Sequence, residues 1–317
     1  MKKARKKVFE IEPNIWLQRA IQAGKIIESS QIKYAIFGAG ALAAHSIILR
    51  PTIDIDFVVD SYQTTVEIMN RQNDLDHSNL QKEKDKIQVA DFYFNDGTSV
   101  QIWDNNLYSL EMNTESWSRV FSKNITGYGI IRSISIEDLI VSKIGRYIQQ
   151  KDENEHQALK NVKDIISAIK SLKDPDYQYI VKRLREGARR ETSSANSKIH
   201  SLDWYFIREF PIYINELDYF ERDRNISRFL SNIILKSKSP AIEYYLLNEL
   251  RKLKSISKFQ TKFILDGKSF QILQKRWKNF LEVEDDKPIL DSKKITTYIK
   301  SLGSNDLSDY AKKLGNI

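Results

Sequence analysis

The chain contains no cysteine, which excludes disulfides and thiolate metal sites and leaves nothing that points to an oxidising compartment. Histidine is scarce too. Its four copies, at 45, 77, 156 and 200, are scattered without metal-ligand spacing, so no zinc site is expected. No apolar run approaches the length of a membrane span, and the first residues lack the apolar stretch of a signal peptide. These absences predict a cytoplasmic protein. The half beyond residue 176 shows no internal repeat either.

What is present is ordinary globular material, with 41% apolar and 29% charged residues over 317 positions. That length suits two domains. The net charge of +8 is unevenly placed. Residues 1–180 hold 23 basic against 24 acidic side chains, and residues 181–317 hold 27 against 18. A catalytic part with acidic metal ligands joined to a part that meets a polyanion would be distributed in this way. The five basic residues among Met1 to Lys7 read as a solubilising tail rather than a nucleic-acid arm.

The most informative stretch runs from residue 37 to 58. Ile32, Tyr34, Ile36 and Phe37 have strand character, and Gly38 and Gly40 then allow a sharp turn. Ala41 to Leu49 suits one or two helical turns, which Pro51 ends. Ile53, Ile55 and Phe57 alternate with Asp54 and Asp56 in the period of a strand. Both carboxylates therefore project to one face, roughly 6–7 Å apart at Cα. An exposed edge strand would read the same way. The glycine turn ahead of the pair favours a site, where a hard cation such as Mg²⁺ (or Mn²⁺) offsets two like charges and brings phosphates with it. The turn and the helix start after it would then cradle phosphates with N–H groups.

The run Gly38-Ala39-x-Ala41-x-Ala43-Ala44-His45, followed by Arg50-x-Thr52-x-Asp54-x-Asp56, resembles the nucleotidyltransferase superfamily of the DNA polymerase β type. Within it the likeness is to the minimal members, including abortive-infection and toxin–antitoxin enzymes. It covers roughly residues 30 to 172. Ser46 departs from the pattern, since a glycine commonly follows the histidine. The resemblance implies a polymerase β-like α/β domain with a small mixed sheet, and NTP as substrate. It implies Asp54 and Asp56 as metal ligands, and nucleotide contacts from Gly38, Ala39, Arg50 and Thr52. A hydroxyl acceptor, with an RNA (tRNA) 3′ end leading, and an antitoxin protein as partner also follow from it.

The third carboxylate of that family commonly sits on a hairpin. Here Ile87–Phe94 and Ser99–Trp103 flank Asn95-Asp96-Gly97-Thr98, a strong hairpin signal. Asp104 is favoured for the role, because its spacing to Trp117 and to Glu137-Asp138 resembles the family. Asp91 is the alternative, and Asp164 is held in reserve. Ser135 with Asp138 marks a helix start. The run Ser135-Ile-Glu-Asp-Leu-Ile-Val-Ser-Lys143 resembles the family helix that turns a lysine toward the phosphates, with Arg146 one turn later.

Between these markers, Ser61–Asn73 reads as a helix with Tyr62, Val66 and Met69 inward, and Gln72–Lys86 as a loop or weak helix. Glu155–Leu172 reads as a helix, and Lys173-Asp-Pro-Asp176 as the linker. The expectation is a catalytic domain over 1–174 and an all-helical, basic domain over 175–317. The second has aromatic helices from Asp203 to Phe220 and further helices to about Leu314. Its aromatics fit a core better than a stacking surface. Arg251-Lys-Leu-Lys254 and Lys275-Arg-Trp-Lys278 are its candidate RNA-facing clusters. Transfer to a protein side chain or small molecule, or an inactive fold kept for binding, are the rival readings.

Overall fold

Alternation along the strands decides the architecture of the N-terminal part. A computed structural model describes residues 13–47, 54–82, 88–107, 110–151, 154–188, 201–216, 224–237 and 239–302. Arg50, Thr52, the basic N-terminal tail and the helix expected near Leu314 lie outside the described residues. The chain divides into two compact units, Met1–Lys173 and Asp174–Ile317.

In the first unit the order is α1 (Pro13–Ser29), β1 (Tyr34–Ile36), α2 (Gly38–Ala44), β2 (Asp54–Val59), α3 (Tyr62–Met69) and β3 (Leu75–Lys82). β4 (Gln88–Phe94), β5 (Ser99–Asp104), α4 (Thr114–Ser118), β6 (Phe121–Ile125), β7 (Gly129–Ser133), α5 (Ile136–Gln150) and α6 (Glu155–Ser171) follow. The strands form one seven-stranded mixed sheet in the order β3-β4-β5-β2-β1-β7-β6. Parallel pairs join β2 to β5 and β1 to β7, and the rest are antiparallel. A mixed α/β unit is thus what the sequence led us to expect.

One face of this sheet is the main core. Tyr34, Ile36, Ile55, Phe57, Val59, Ala90, Phe92, Phe94, Val100 and Ile102 alternate onto it. Trp16, Ala20, Ala23 and Ile27 of α1 and Val66 and Met69 of α3 join the same cluster. Each fully buried large apolar side chain of this kind stabilises by about 1.5–3 kcal/mol. Arg19 fixes α1 to the β4–β5 turn. Its guanidinium lies 2.7 Å from both Asp74 and Asp96, donates to Thr98 at 3.2 Å and sits 3.9 Å over the Phe94 ring.

Two local expectations change. The stretch expected as a loop or weak helix forms β3, an edge strand, because its backbone pairs with β4 from Leu75 to Lys82. The β6–β7 hairpin, which carried no pattern we had singled out, supplies the strand beside β1.

The second unit is built of α7 (Tyr177–Ala188), α8 (Leu202–Glu216), α9 (Arg224–Lys236), α10 (Pro240–Leu253), α11 (Ile256–Phe263), α12 (Gly267–Arg276), β8 (Leu281–Glu284), β9 (Lys287–Leu290) and α13 (Ser292–Ser301). The helices are as expected, but the unit is not all-helical. α12 ends at Arg276 and the chain gives way to the β8–β9 hairpin. Asp285 and Asp286 turn that hairpin with positive φ. Asp286 then accepts from the Ser257 N–H at 2.8 Å and the Ser255 hydroxyl at 2.6 Å, holding the start of α11.

Phe206, Phe210, Phe229, Phe259, Phe263 and Trp277 are buried in this unit, as aromatics at helical spacing predict. The Lys275–Lys278 cluster is only half a surface. Lys275 and Lys278 are exposed, whereas Trp277 is fully buried and donates to Glu243 at 2.7 Å. Arg276 pairs with the same carboxylate and donates to the Leu235 carbonyl at 2.7 Å. Glu243 is 0% exposed, so these two donors are what permit its charge indoors. Glu243→Ala leaves the partly buried Arg276 guanidinium and the buried Trp277 N–H without their acceptor and should cost about 3 kcal/mol in a denaturant titration. Lys278→Ala should cost under about 0.5 kcal/mol.

Candidate active site

Strand register places the site. Residues opposite one another on neighbouring strands share a face of the sheet. Asp54 pairs with Ser99 and Asp56 with Gln101 across β2–β5. Across β5–β4, Ser99 pairs with Tyr93 and Gln101 with Asp91. Across β4–β3, Tyr93 pairs with His77 and Asp91 with Asn79. Two adjacent polar rows result, Asp54·Ser99·Tyr93·His77 and Asp56·Gln101·Asp91·Asn79. They occupy the face opposite the apolar core.

This register separates the two hairpin candidates for a third carboxylate. Asp104 is opposite Val59, on the same face as Ile102 and Val100. It therefore points away from Asp54 and Asp56, and its carboxyl is raised by burial and by Glu111 rather than by the pair. Asp91 lies on the face that carries Asp54 and Asp56, two strands from Asp56. It is 2% exposed and accepts a hydrogen bond from Gln101 Nε2 at 2.8 Å.

Asp54 and Asp56 differ in environment although only two residues apart. Asp54 is exposed and accepts a short hydrogen bond from the Ser99 hydroxyl. Asp56 is half-buried, and its carboxyl is pushed up to about 7. Burial is the largest cause, followed by the Asp54 charge. Lys143 and Arg146 of α5 pull the other way, and Asp91 adds a smaller upward push.

Gly38 is there because nothing larger fits. Its φ is +64°, in the region where side chains are strained, and a Cβ would stand 2.2 Å from Asp56 Oδ2. Ala39 follows it in α2. His45 closes α2 by hydrogen bonding through Nε2 to the Ile134 carbonyl at 2.8 Å and stacking on Phe121 at 4.9 Å. Burial lowers the pKa of this imidazole, which suits a bracing role. Ser46 has φ +59°, which explains why a glycine would be favoured there. Lys123 donates to its hydroxyl at 2.7 Å.

The cap expected at Ser135 is present, with its hydroxyl oxygen accepting from the Asp138 N–H at 3.1 Å. The helix it starts carries Lys143, but not as an outward cation. Lys143 is 6% exposed and lies 2.8 Å from Asp164 Oδ2, with Asn161 Oδ1 at 3.5 Å. Asp164, held in reserve as a metal ligand, is thus the buried counter-ion of Lys143. Arg146, half-buried one turn further on, is the other α5 cation within electrostatic reach of Asp56.

Sequence reasoning missed Ser99, Gln101, Tyr93 and His77. The alternation Asp91-x-Tyr93 and Ser99-x-Gln101 about the Asp-Gly turn was the signal available for them.

No protein-family model matches the chain, and no curated protein does. Among solved structures the chain is similar to an antigenic nucleotidyltransferase-like protein from Paracoccidioides brasiliensis. They share 19% identity over 48% of this chain and 75% of that one, with a TM-score of 0.32. It is also similar to the antibiotic-resistance factor ANT(2'')-Ia, with 16% identity, coverage of 50% and 84%, and a TM-score of 0.35. A third similar structure is the Thermotoga maritima CCA-adding enzyme complexed with tRNA, with 14% identity, coverage of 97% and 96%, and a TM-score of 0.26. The site described here rests on this chain's own geometry. Among the described residues, no helix is long and apolar enough to cross a membrane.

Two outcomes follow from the geometry. Asp56 binds its proton more tightly folded, at about 7, than unfolded, at 3.8. Without metal, stability should therefore fall as pH rises from about 4 to about 7, by at most about 1.4 kcal/mol per pH unit, and then level off. Asp56→Asn should remove that slope, which denaturant midpoints in EDTA at pH 5 and pH 8 would show. Gly38→Ala should unfold at lower denaturant than wild type, since both its φ and its neighbour oppose a methyl group. Combining it with Asp56→Gly should recover part of the loss.

Proposed function

We propose that the chain is a Mg²⁺-dependent (or Mn²⁺-dependent) nucleotidyltransferase. It would move a nucleotide from an NTP to a hydroxyl acceptor, with an RNA 3′ end, such as that of a tRNA, as the leading candidate. The observation that carries this reading is Asp54 and Asp56 on one face of β2, with the side-chain-free Gly38 pressed against Asp56. Two like carboxylates, one pushed up to about 7 by burial and its neighbour, are a donor set that a hard divalent cation relieves. The residues present thus fit the metal.

On this reading Asp54 and Asp56 are the primary ligands, and the Gly38–Ala39 backbone lies where phosphates would approach. A bound divalent cation would neutralise the triphosphate and lower the pKa of the attacking hydroxyl. Asp91, oriented by Gln101, accepts that hydroxyl's proton. The acceptor oxygen forms its bond to the α-phosphorus, the bridging P–O bond breaks, and pyrophosphate leaves. Arg146 offsets phosphate charge from α5. Lys143 acts through Asp164 as a support of that helix. A toxin-type role and an antitoxin partner rest on the resemblance of the sequence alone.

A second reading keeps the fold for nucleotide binding without transfer. It is favoured by one observation. Among the described residues no three His, Asp or Glu side chains converge closely enough to hold an ion together.

Incubation with each α-³²P-NTP and Mg²⁺, with and without total tRNA, separates these readings. Label should enter RNA with the wild type and fall by at least 100-fold in Asp54→Ala and Asp56→Ala. Asp91→Asn should lose most label, and Asp104→Asn little. Label on protein instead would move the acceptor to a side chain. NTP-dependent thermal stabilisation without any label would favour the binding module.

A further inference from the structure

The two polar rows do not stop at the aspartates. They continue past Asp91 to the edge strand β3, and at that outer end two rings stack. His77 and Tyr93 lie with centroids 4.4 Å apart and planes 12° apart. His77 faces this way because the pairing of β3 with β4 shifts between Leu75 and His77. Before the shift, Leu75 faces the core beside Phe94. After it, His77 and Asn79 lie over Tyr93 and Asp91. His77 accordingly has 56% of its side chain exposed and is steadied by Asp76, 2.7 Å from Nδ1. Tyr93 is half-buried, and burial, then Asp91 and then Asp54 raise its hydroxyl pKa, so it stays a neutral donor.

The chemistry of the rows limits what they receive. From Asp54 to His77 and from Asp56 to Asn79 they hold three carboxylates, amides and hydroxyls, and no lysine or arginine. Away from any cation held by Asp54 and Asp56, a phosphate is repelled from such a floor. A neutral group bearing hydroxyls is not, and the stacked pair adds a flat surface for a planar ring.

We propose that the β3–β4 end of this face is the acceptor subsite. The terminal nucleoside of a single-stranded RNA would lie along the rows, its base stacked on the His77–Tyr93 platform. Its ribose hydroxyl would then be directed toward Asp91 and Asp56. The proposal rests on the transferase reading and names the residues that take the acceptor. A cationic aminosugar would also be drawn to the carboxylates, but it has no planar ring for the platform.

The test is binding of a fluorescently labelled RNA hexamer with a free 3′-hydroxyl, followed by anisotropy, with Mg²⁺–NTP binding followed separately by thermal shift. His77→Ala and Tyr93→Ala should each weaken hexamer binding roughly five- to a hundredfold. Tyr93→Phe should stay within about threefold of wild type, and NTP-dependent stabilisation should be unchanged in all three. His77 is exposed, so its variant tests the platform even if Tyr93→Ala fails to fold. Hexamer binding unmoved by His77→Ala and Tyr93→Ala overturns the subsite. So does tight binding of kanamycin, lost in Asp91→Asn, by a protein that ignores the hexamer. Platform-dependent hexamer binding without any Mg²⁺–NTP binding would uphold the subsite and remove the transferase reading instead.

Discussion

Two carboxylates held side by side on one strand are the constraint from which the first unit takes its form. Asp54 and Asp56 must share a face because Ile55 and Phe57 are needed on the other, where α1 and α3 join the core. Their repulsion is then managed locally. Ser99 donates to Asp54, Lys143 and Arg146 lower the cost at Asp56, and Gly38 gives the second carboxylate room. Lys143 is itself buried only because Asp164 and Asn161 meet it. The charge problem of β2 thus reaches through α5 to α6, and a helix distant in sequence becomes part of the support of the site.

Much of this was legible in the chain. The strand, the glycine turn, the β4–β5 hairpin and the capped helix at Ser135 could each be read from alternation and turn chemistry. What escaped was register. A strand carries its side chains with period two, so one residue of slip moves them all to the other face. Asp91 and Asp104 differ in parity relative to the hairpin, and only the pairing of β5 with β2 decides which of them faces Asp56. That pairing joins residues some 45 positions apart in the chain, and no local signal encodes it. Resemblance to a family pattern pointed to Asp104, which strand parity turns to the other face of the sheet from Asp54 and Asp56. β3 escaped for a related reason. Apart from Leu75 and Leu80 its side chains are polar, and its pairing with β4 comes from the backbone.

In the second unit composition alone was a poor guide to surface. The basic excess beyond residue 180 is real, but some of its members are structural. Arg276 serves Glu243, and Lys262, itself only a third exposed, serves Glu249 at 2.5 Å. Such pairs cost desolvation and hold position more than they add stability. The cations left on the exterior, such as Lys254, Lys275 and Lys278, are fewer than the sum suggests.

The register shift in β3 has one more consequence. An edge strand pairs on one side only, so a residue gained or lost at that shift need not disturb β4, β5 or β2. It would exchange His77 and Asn79 for Ser78 and Leu80 on the face of Asp91. Drift in one short segment could therefore retune what the molecule accepts, while the machinery two strands away stays as it was.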